Sequence, residues 1–289
     1  EMCLSLVGSE MCIRDRNGSL EWSSAMKDQE KLIESVNELQ SYPKYTPTSI
    51  IGYKKAKKLE PHINFKGNEN IIFSKADGAI DPKDAISKMI DVIKKNGGSV
   101  LYPCKFERII ESNDSFSKVK TSMGILKSEN VIFCNGVDVD NSFNVNFLKK
   151  PRPGVIIKTK PQKNLINSVV YGPKIHAHQQ SNGQIIIGEQ ITAPIKKNTK
   201  DHIKRINKHF KSMVKGGTDL NPSEVLIGWR PIPKDDLPII GKFKNKSVYI
   251  AVMHSGISLA AIVGNLVTQE IVDEVDSLLL KDFRPSRFF

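Results

Sequence analysis

A chain of 289 residues suits one large or two moderate domains, and 39% hydrophobic with 26% charged residues argues for a soluble globular protein. Its longest apolar runs break within about 10 residues, short of the roughly 18 that a membrane-spanning helix needs. The formal net charge of +12 raises the question of an anionic partner. The lysines, however, fall in groups at expected turns and helix ends: Lys54 to Lys58, Lys94-Lys95, Lys149-Lys150, Lys196-Lys197 and Lys242 to Lys246. Without a stripe of arginine and interleaved aromatics this reads as a solvated basic surface, and no nucleic-acid partner is expected.

In chain order, residues 1–16 carry a near-repeat, Glu1-Met2-Cys3-Leu4 and Glu10-Met11-Cys12-Ile13, with no helical or strand period. The stretch resembles translated adapter read-through. A signal peptide is the rival reading, but Glu10 and Arg14-Asp15-Arg16 interrupt a run too short for an apolar core. Residues 1–16 are therefore set aside as a non-native leader. Ala25 to Gln40 has the spacing of an amphipathic helix, with Met26, Leu32, Ile33, Val36 and Leu39 as its apolar positions. At Asp81 a helix start is marked by an N-cap carboxylate and Pro82 in the first turn; Ala85, Ile86, Met89, Ile90 and Ile93 follow, and Gly97-Gly98 stops it. Ser99 to Pro103, Phe106 to Glu111, Val119 to Thr121 and Asn130 to Cys134 read as strands, the last ending in the small-residue turn Asn135-Gly136.

From Pro153 longer strands follow: Val155 to Thr159, Lys174 to Gln180 and Gln184 to Glu189, the last two joined by the hairpin signal Ser181-Asn182-Gly183. A helix from Thr199 to about Val214 and a strand from Glu224 to Gly228 come next. Val248 to Val252 is a short apolar run, and Ser255 to Val272 switches to helical spacing with Ile257, Ala260, Ala261, Gly264, Val267 and Ile271 on one face. The switch falls at His254-Ser255-Gly256. A bare Ser-Gly helix opening leaves N–H groups unpaired beside a partial positive charge, which suits a phosphate or the anionic edge of a reduced flavin.

Seven ordered segments carry a resemblance. Gly228, Arg230, Pro231, Asp235, Pro238, Ile240 and Gly241, then His254, Ser255, Gly256, Ser258 and Leu259, match G-x-R-P-x-x-x-D-x-x-P-x-I-G and H-S-G-x-[ST]-L. Upstream, Gly18-Ser19-Leu20-Glu21, Leu59-Glu60-Pro61, Asp77 to Pro82 and Phe133 to Gly136 fall in the expected order, and the tail Phe283 to Phe288 also fits. This pattern is similar to the FAD-dependent D-amino acid oxidase, glycine oxidase and sarcosine oxidase family. The resemblance implies an α/β fold: an incomplete Rossmann-like FAD-binding domain interleaved with an α+β antiparallel-sheet substrate domain. Residues 17–76 and 151–230 would form the substrate domain, and residues 77–150 and 231–289 the FAD-binding part. The family's opening G-x-G-x-x-G turn has no counterpart in the sequence, so the chain is expected to be a fragment truncated at its front and inactive as it stands. Met253 stands where the family often has glycine, and Ala261 where proline is frequent.

The resemblance implies FAD as cofactor and oxidation of a substrate C–N bond by hydride transfer to flavin, with an amino acid or secondary amine as substrate. Arg230, whose planar head holds a carboxylate bidentately, would bind the substrate; an ordinary salt bridge is its alternative. His176 and His178 alternate along one strand with Gln180, and would bind or orient substrate if that face lines the pocket. A solvent-facing strand is the alternative, and zinc is a third reading for which no further ligand is evident. Asn135, Gly136, Gly228, His254, Ser255, Gly256, Ile257 and Ser258 would contact the cofactor, with His254 either beside the flavin or tying its loop through a backbone hydrogen bond. No residue is assigned as catalytic acid or base. Trp22, Tyr171, Tyr249 and Trp229 read as core or edge aromatics, Trp229 being the one adjacent to Arg230. Cys104 and Cys134 read as buried free thiols in strands, in a reducing, cytoplasmic setting, with peripheral attachment to the membrane's inner face left open. Two other functions remain at this stage: a tRNA-modifying flavoenzyme domain of the same superfamily, and a non-catalytic fragment or subunit.

Overall fold

The computed structural model describes residues 14–15, 17–23, 25–41, 48–189, 199–217 and 221–289. Of the expected leader only Arg14–Asp15 is among them, and Lys196-Lys197 lies outside. The strands are β1 (Arg14–Asp15), β2 (Ser19–Glu21), β3 (Thr48–Ile51), β4 (Ile71–Ser74), β5 (Ala79–Ile80), β6 (Phe106–Ser112), β7 (Ser117–Thr121), β8 (Gly124–Ser128), β9 (Val131–Phe133), β10 (Arg152–Thr159), β11 (Val169–Tyr171), β12 (Ile175–Gln179), β13 (Ile185–Glu189), β14 (Pro222–Arg230), β15 (Ile239–Phe243) and β16 (Asn245–Val252). The helices are α1 (Met26–Gln40), α2 (Tyr53–Leu59), α3 (Pro82–Lys95), α4 (Val139–Phe143), α5 (Thr199–Met213) and α6 (Gly256–Val272). Ile86–Arg152 and Trp229–Phe289 form one compact unit; Pro153–Gly228 and the described residues up to Ala85 form a second.

The second unit is built on an eight-stranded sheet in the order β14-β10-β13-β12-β11-β2-β4-β3. Its core follows from the period of two along a strand. Leu20, Val170, Ala177, Ile187 and Ile157 are successive register partners across five strands, and all are fully buried. Ile206, Phe210 and Met213 of α5 and Ala56 of α2 belong to the same cluster. At about 1.5–3 kcal/mol for each large aliphatic side chain buried, this row fixes which way every strand faces. The adjacent row, Glu21, Tyr171, His176, Gly188 and Ile156, therefore occupies the opposite face. The β12–β13 hairpin forms at the expected turn, where Gly183 adopts φ 82 and its N–H donates to the Gln180 carbonyl. Asp81 caps α3 as its position requires, its Oδ1 accepting from the Lys83 N–H at 2.9 Å.

The first unit contains a sheet in the order β15-β16-β9, with β16 and β9 parallel, and an antiparallel sheet β6-β7-β8. Both faces of β16 are covered, which is why Val248 to Val252 reads as unbroken apolar sequence. Tyr249 packs with Ile240, Val263, Val267 and Leu280. Val248, Ile250 and Val252 pack with Phe133, Val139, Phe143 and Phe147. The mixed α/β architecture, with a parallel strand pair in one unit and an antiparallel-rich sheet in the other, is the one expected.

Two local expectations are corrected, for Ser99 to Pro103 and for the cysteines, and two features were not read from the sequence. Ser99 to Pro103 is irregular rather than a strand: the run has no alternation, and Pro103 has no N–H to give to a ladder. The strand β8 has every residue exposed, and its two apolar residues, Ile125 and Leu126, are adjacent rather than alternating, so it left no period of two in the sequence; it is held by its ladder to β7. The apolar stripe of α3 is not a buried face, since Ile86, Met89 and Ile93 are each about half exposed and only Ala85 is buried. Cys104 and Cys134 are free, but Cys104 precedes β6, Cys134 follows β9, and Cys134 is exposed rather than buried.

Candidate functional site

Parallel pairing of β9 and β16 delivers their carboxyl ends to the same edge of the sheet, the edge where α/β folds bind ligands. From β9 the chain runs into Asn135-Gly136, and from β16 into Met253-His254-Ser255-Gly256. Gly136 takes φ 58, a conformation that glycine adopts without Cβ strain. Asn135 donates through Nδ2 to Ser142 Oγ at 2.8 Å, while its Oδ1 is buried with no hydrogen-bond partner. A buried acceptor left open in this way suits a donor that comes from a ligand.

At the start of α6, Ser255 is the N-cap residue, yet its side chain makes no capping hydrogen bond. Ser255, Gly256, Ile257 and Ser258 are all exposed, and a Cβ placed on Gly256 would meet nothing within 4 Å. The first turn of a 17-residue helix thus presents its N–H groups and positive dipole end to an open surface. What occupies Ser255 instead is His254, whose Nδ1 lies 3.2 Å from Ser255 Oγ. On its other side, His254 Nε2 lies 3.3 Å from Nη1 of Arg230. A guanidinium only donates, so Nε2 is the acceptor, which assigns the ring proton to Nδ1 and makes it the donor to Ser255. Burial first, and then the Arg230 cation, hold the His254 imidazole below its ordinary pKa against the opposing pull of Asp236. The imidazole is accordingly neutral at pH 7. Among the described residues no carboxylate pairs with Arg230, so donors of its fork remain for a ligand.

Two arginines of the C-terminal tail frame this region, a role that their sequence positions did not reveal. Arg287 donates from Nη2 to Asp235 Oδ1 at 3.1 Å and to the Leu237 carbonyl at 3.0 Å. That bond holds the Asp235 carboxyl below the usual carboxylate range and fastens the loop that follows Arg230. The same loop bonds back to the chain through the Lys149 N–H to the Ile232 carbonyl at 2.8 Å. Arg284 forms a two-pronged bond to Glu270, which is fully buried and also accepts from Tyr249 Oη and the Ser277 N–H. Burial, and then Glu270, push the Tyr249 phenol far up. The motif letters Asp235 and Arg287, 52 positions apart, are thus one contact.

His176 and His178 lie in the second unit, half-buried on the outer face of β12. The His176 ring is tilted by 30° against Tyr171 with centroids 5.9 Å apart. It fills the space over Gly188, where an added Cβ would stand 2.1 Å from Nε2. Gln180 donates to Asp81 Oδ2 at 3.1 Å, and its Oε1 is buried without a partner. Gly228 lies within β14 with nothing within 4 Å of where a Cβ would be. Trp22 and Tyr249 are core residues, whereas Tyr171 and Trp229 are exposed. Among the described residues no group of three or more His, Cys, Asp or Glu side chains could hold a metal ion, and no helix is long and apolar enough to cross a membrane.

Solved structures share this fold at low sequence identity. L-proline dehydrogenase from P. horikoshii superimposes with a TM-score of 0.84 at 20% identity, covering 95% of this chain and 77% of that one. Glycine oxidase from Geobacillus kaustophilus gives 0.82 at 16%, covering 94% and 75%. L-amino acid deaminase from Proteus myxofaciens, in complex with anthranilate, gives 0.82 at 14%, covering 96% and 76%. No curated protein matches the chain in sequence. The sequence profile of the FAD dependent oxidoreductases matches residues 5–270, nearly the whole chain, and the protein belongs to that family.

Proposed function

We propose that this chain serves the oxidation of the C–N bond of an amino acid or secondary amine, with FAD as the acceptor of the hydride. The observation that carries the reading is the set formed by the uncapped start of α6, the neutral His254 and the Arg230 cation, which has no carboxylate partner among the described residues. Structures of the same fold bear the names proline dehydrogenase, glycine oxidase and amino acid deaminase, which supports an amino acid or amine as substrate.

When bound, FAD supplies the two-electron chemistry that no side chain can perform. The residues of this chain would do the rest. The N–H groups of Gly256, Ile257 and Ser258 would hold an anionic group of the cofactor and lower the cost of negative charge there. The turn Asn135-Gly136 lets backbone approach the same ligand, with Asn135 Oδ1 open to a donor. Arg230 grips a carboxylate with its remaining donors and so orients the α-carbon. His254 withholds a second positive charge from the site and keeps Ser255 turned away from the helix N–H groups. The free thiols Cys104 and Cys134 support a reducing compartment, the cytoplasm.

The test is a carboxylate titration of the FAD-saturated chain, read from the flavin difference spectrum. Losing a charge-assisted bidentate contact of about 2–3 kcal/mol, Arg230→Ala should bind anthranilate roughly 100-fold more weakly at unchanged flavin content. Equal affinity would remove Arg230 from the site.

A further inference from the structure

The sheet β6-β7-β8 lies wholly within the first unit, and its two faces differ. Along β7, Ser117, Val119 and Thr121 are buried, and Ser117 Oγ lies 2.7 Å from Ser247 Oγ of β16. By the period of two, Lys118 and Lys120 occupy the opposite face, where the register adds Lys127 and Ile125 of β8 and Arg108 of β6. Strands β7 and β8 turn through Ser122-Met123. The Thr121 hydroxyl fixes that turn, accepting from the Met123 N–H at 3.2 Å and donating to the Gly124 carbonyl at 2.9 Å. The segment leading into β6 is tied alongside: the Lys105 N–H donates to Ser122 Oγ, and the Ser122 N–H to the Lys105 carbonyl, each at 2.9 Å. This end of the sheet shows Tyr102, Met123 and Ile125, which are 90%, 61% and 64% exposed. We propose that it docks on an anionic lipid surface, with Met123 and Ile125 entering the headgroup region and the neighbouring lysines meeting lipid phosphates and carboxylates.

Single exposed apolar side chains are ordinary on a protein surface, but three observations set this group apart. Its apolar residues are gathered at a hairpin tip whose backbone is already fixed by hydrogen bonds, so docking requires little further ordering. Its charge is one-sided. Five cations, Lys105, Arg108, Lys118, Lys120 and Lys127, stand against two carboxylates, Glu107 and Glu111, which pair with Lys120 and Lys118 at 3.2 and 2.7 Å. A lysine held near an anionic leaflet strengthens association by roughly fivefold, and its stem can lie along apolar surface while the ammonium stays at the headgroups. The third observation is the kind of apolar residue. Met123 and Ile125 offer no π face on which a nucleobase could stack, and a tip of so few side chains falls short of the about 800 Å² per partner of a stable protein interface. Aliphatic side chains flanked by lysines suit a bilayer surface, where apolar burial and attraction to anionic lipid add together. No residue of the cofactor turns takes part, so the surface is independent of the flavin chemistry.

Co-sedimentation of the full chain with vesicles of mixed phosphatidylcholine and phosphatidylserine, against vesicles of phosphatidylcholine alone, tests this. Binding should be at least about tenfold tighter to the anionic vesicles and should weaken as salt is raised. Met123→Ser combined with Ile125→Thr keeps the charge and should weaken binding at least about tenfold, with the wild-type circular dichroism spectrum. Lys105→Glu combined with Lys127→Glu should abolish it. An equal change of charge in the second unit, Lys54→Glu with Lys55→Glu on α2, should leave it within about twofold. Equal binding of the wild-type chain to both kinds of vesicle, binding that survives the Met123 and Ile125 changes, or equal loss in the two lysine pairs overturns the proposal. Absence of vesicle binding alongside RNA binding that is lost with Lys105→Glu and Lys127→Glu would assign the face to nucleic acid and overturn it as well.

Discussion

Replacing Glu270 by glutamine tests the anchoring of α6 and the tail. The Glu270 side chain is fully buried, with four acceptor contacts: Oε1 takes the Ser277 N–H at 2.6 Å and one Arg284 nitrogen, and Oε2 takes the other Arg284 nitrogen at 2.8 Å and the Tyr249 hydroxyl. An amide keeps one oxygen and turns the other into a donor; placed at the Oε2 position it can donate to the Tyr249 hydroxyl, which also accepts, but it faces the Arg284 nitrogen as donor against donor. One Arg284 contact is lost, and the Arg284 charge loses its counter-ion. At about 1.5–3 kcal/mol per charge-assisted bond, and with Arg284 21% exposed and able to regain some water, the cost is about 3 kcal/mol. Urea denaturation of the full chain followed by circular dichroism measures it. The pH dependence carries a sign. Bonds from Arg284 and Tyr249 and from the Ser277 N–H outweigh burial and hold Glu270 below its ordinary pKa. Its contribution is therefore fully present above the unfolded-state value and is lost as the pH falls through the folded-state value. The gap between wild type and Glu270→Gln should be constant near neutrality and close in acid. A cost below about 1 kcal/mol, or a gap that widens in acid, would refute the reasoning.

Two further outcomes follow from the α6 region. Gly256→Asp places a carboxylate in the first helical turn, where it finds open space and a favourable dipole, so the melting temperature should hold or rise while FAD affinity falls at least about tenfold; unchanged FAD affinity would separate that turn from the cofactor. His254 should titrate below an ordinary histidine by proton–carbon NMR, and Arg230→Ala should move it back upward because the second of the two forces that depress it is removed; a value insensitive to Arg230 would remove that contact as a cause.

Long periodic segments were legible because burial writes its period into sequence. The helices α1 and α5 match their expected ranges to within a residue or two, and the β12–β13 hairpin turns at Ser181-Asn182-Gly183 as expected. What was not legible has two physical causes. Strands such as β8, with every residue exposed, or β2 and β11, three residues each, carry too few buried positions to show alternation. Contacts between distant side chains leave no local trace at all: neither the grip of Arg287 on Asp235 nor the placement of Glu21 beside Tyr171 follows from spacing. His254 shows the same limit at the site. Its neighbours Ser255 and Gly256 were readable as a helix opening, but its contact with Arg230, 24 positions away, required the fold.

The central claim is that the open first turn of α6 receives the flavin. Backbone amide NMR of the nitrogen-15-labelled chain, titrated with FAD, addresses it directly. Saturable shifts at Gly256, Ile257 and Ser258, with Asn135 and Gly136 moving in parallel, are the predicted result. Shifts confined to other parts of the chain, or none at saturating FAD, would contradict it.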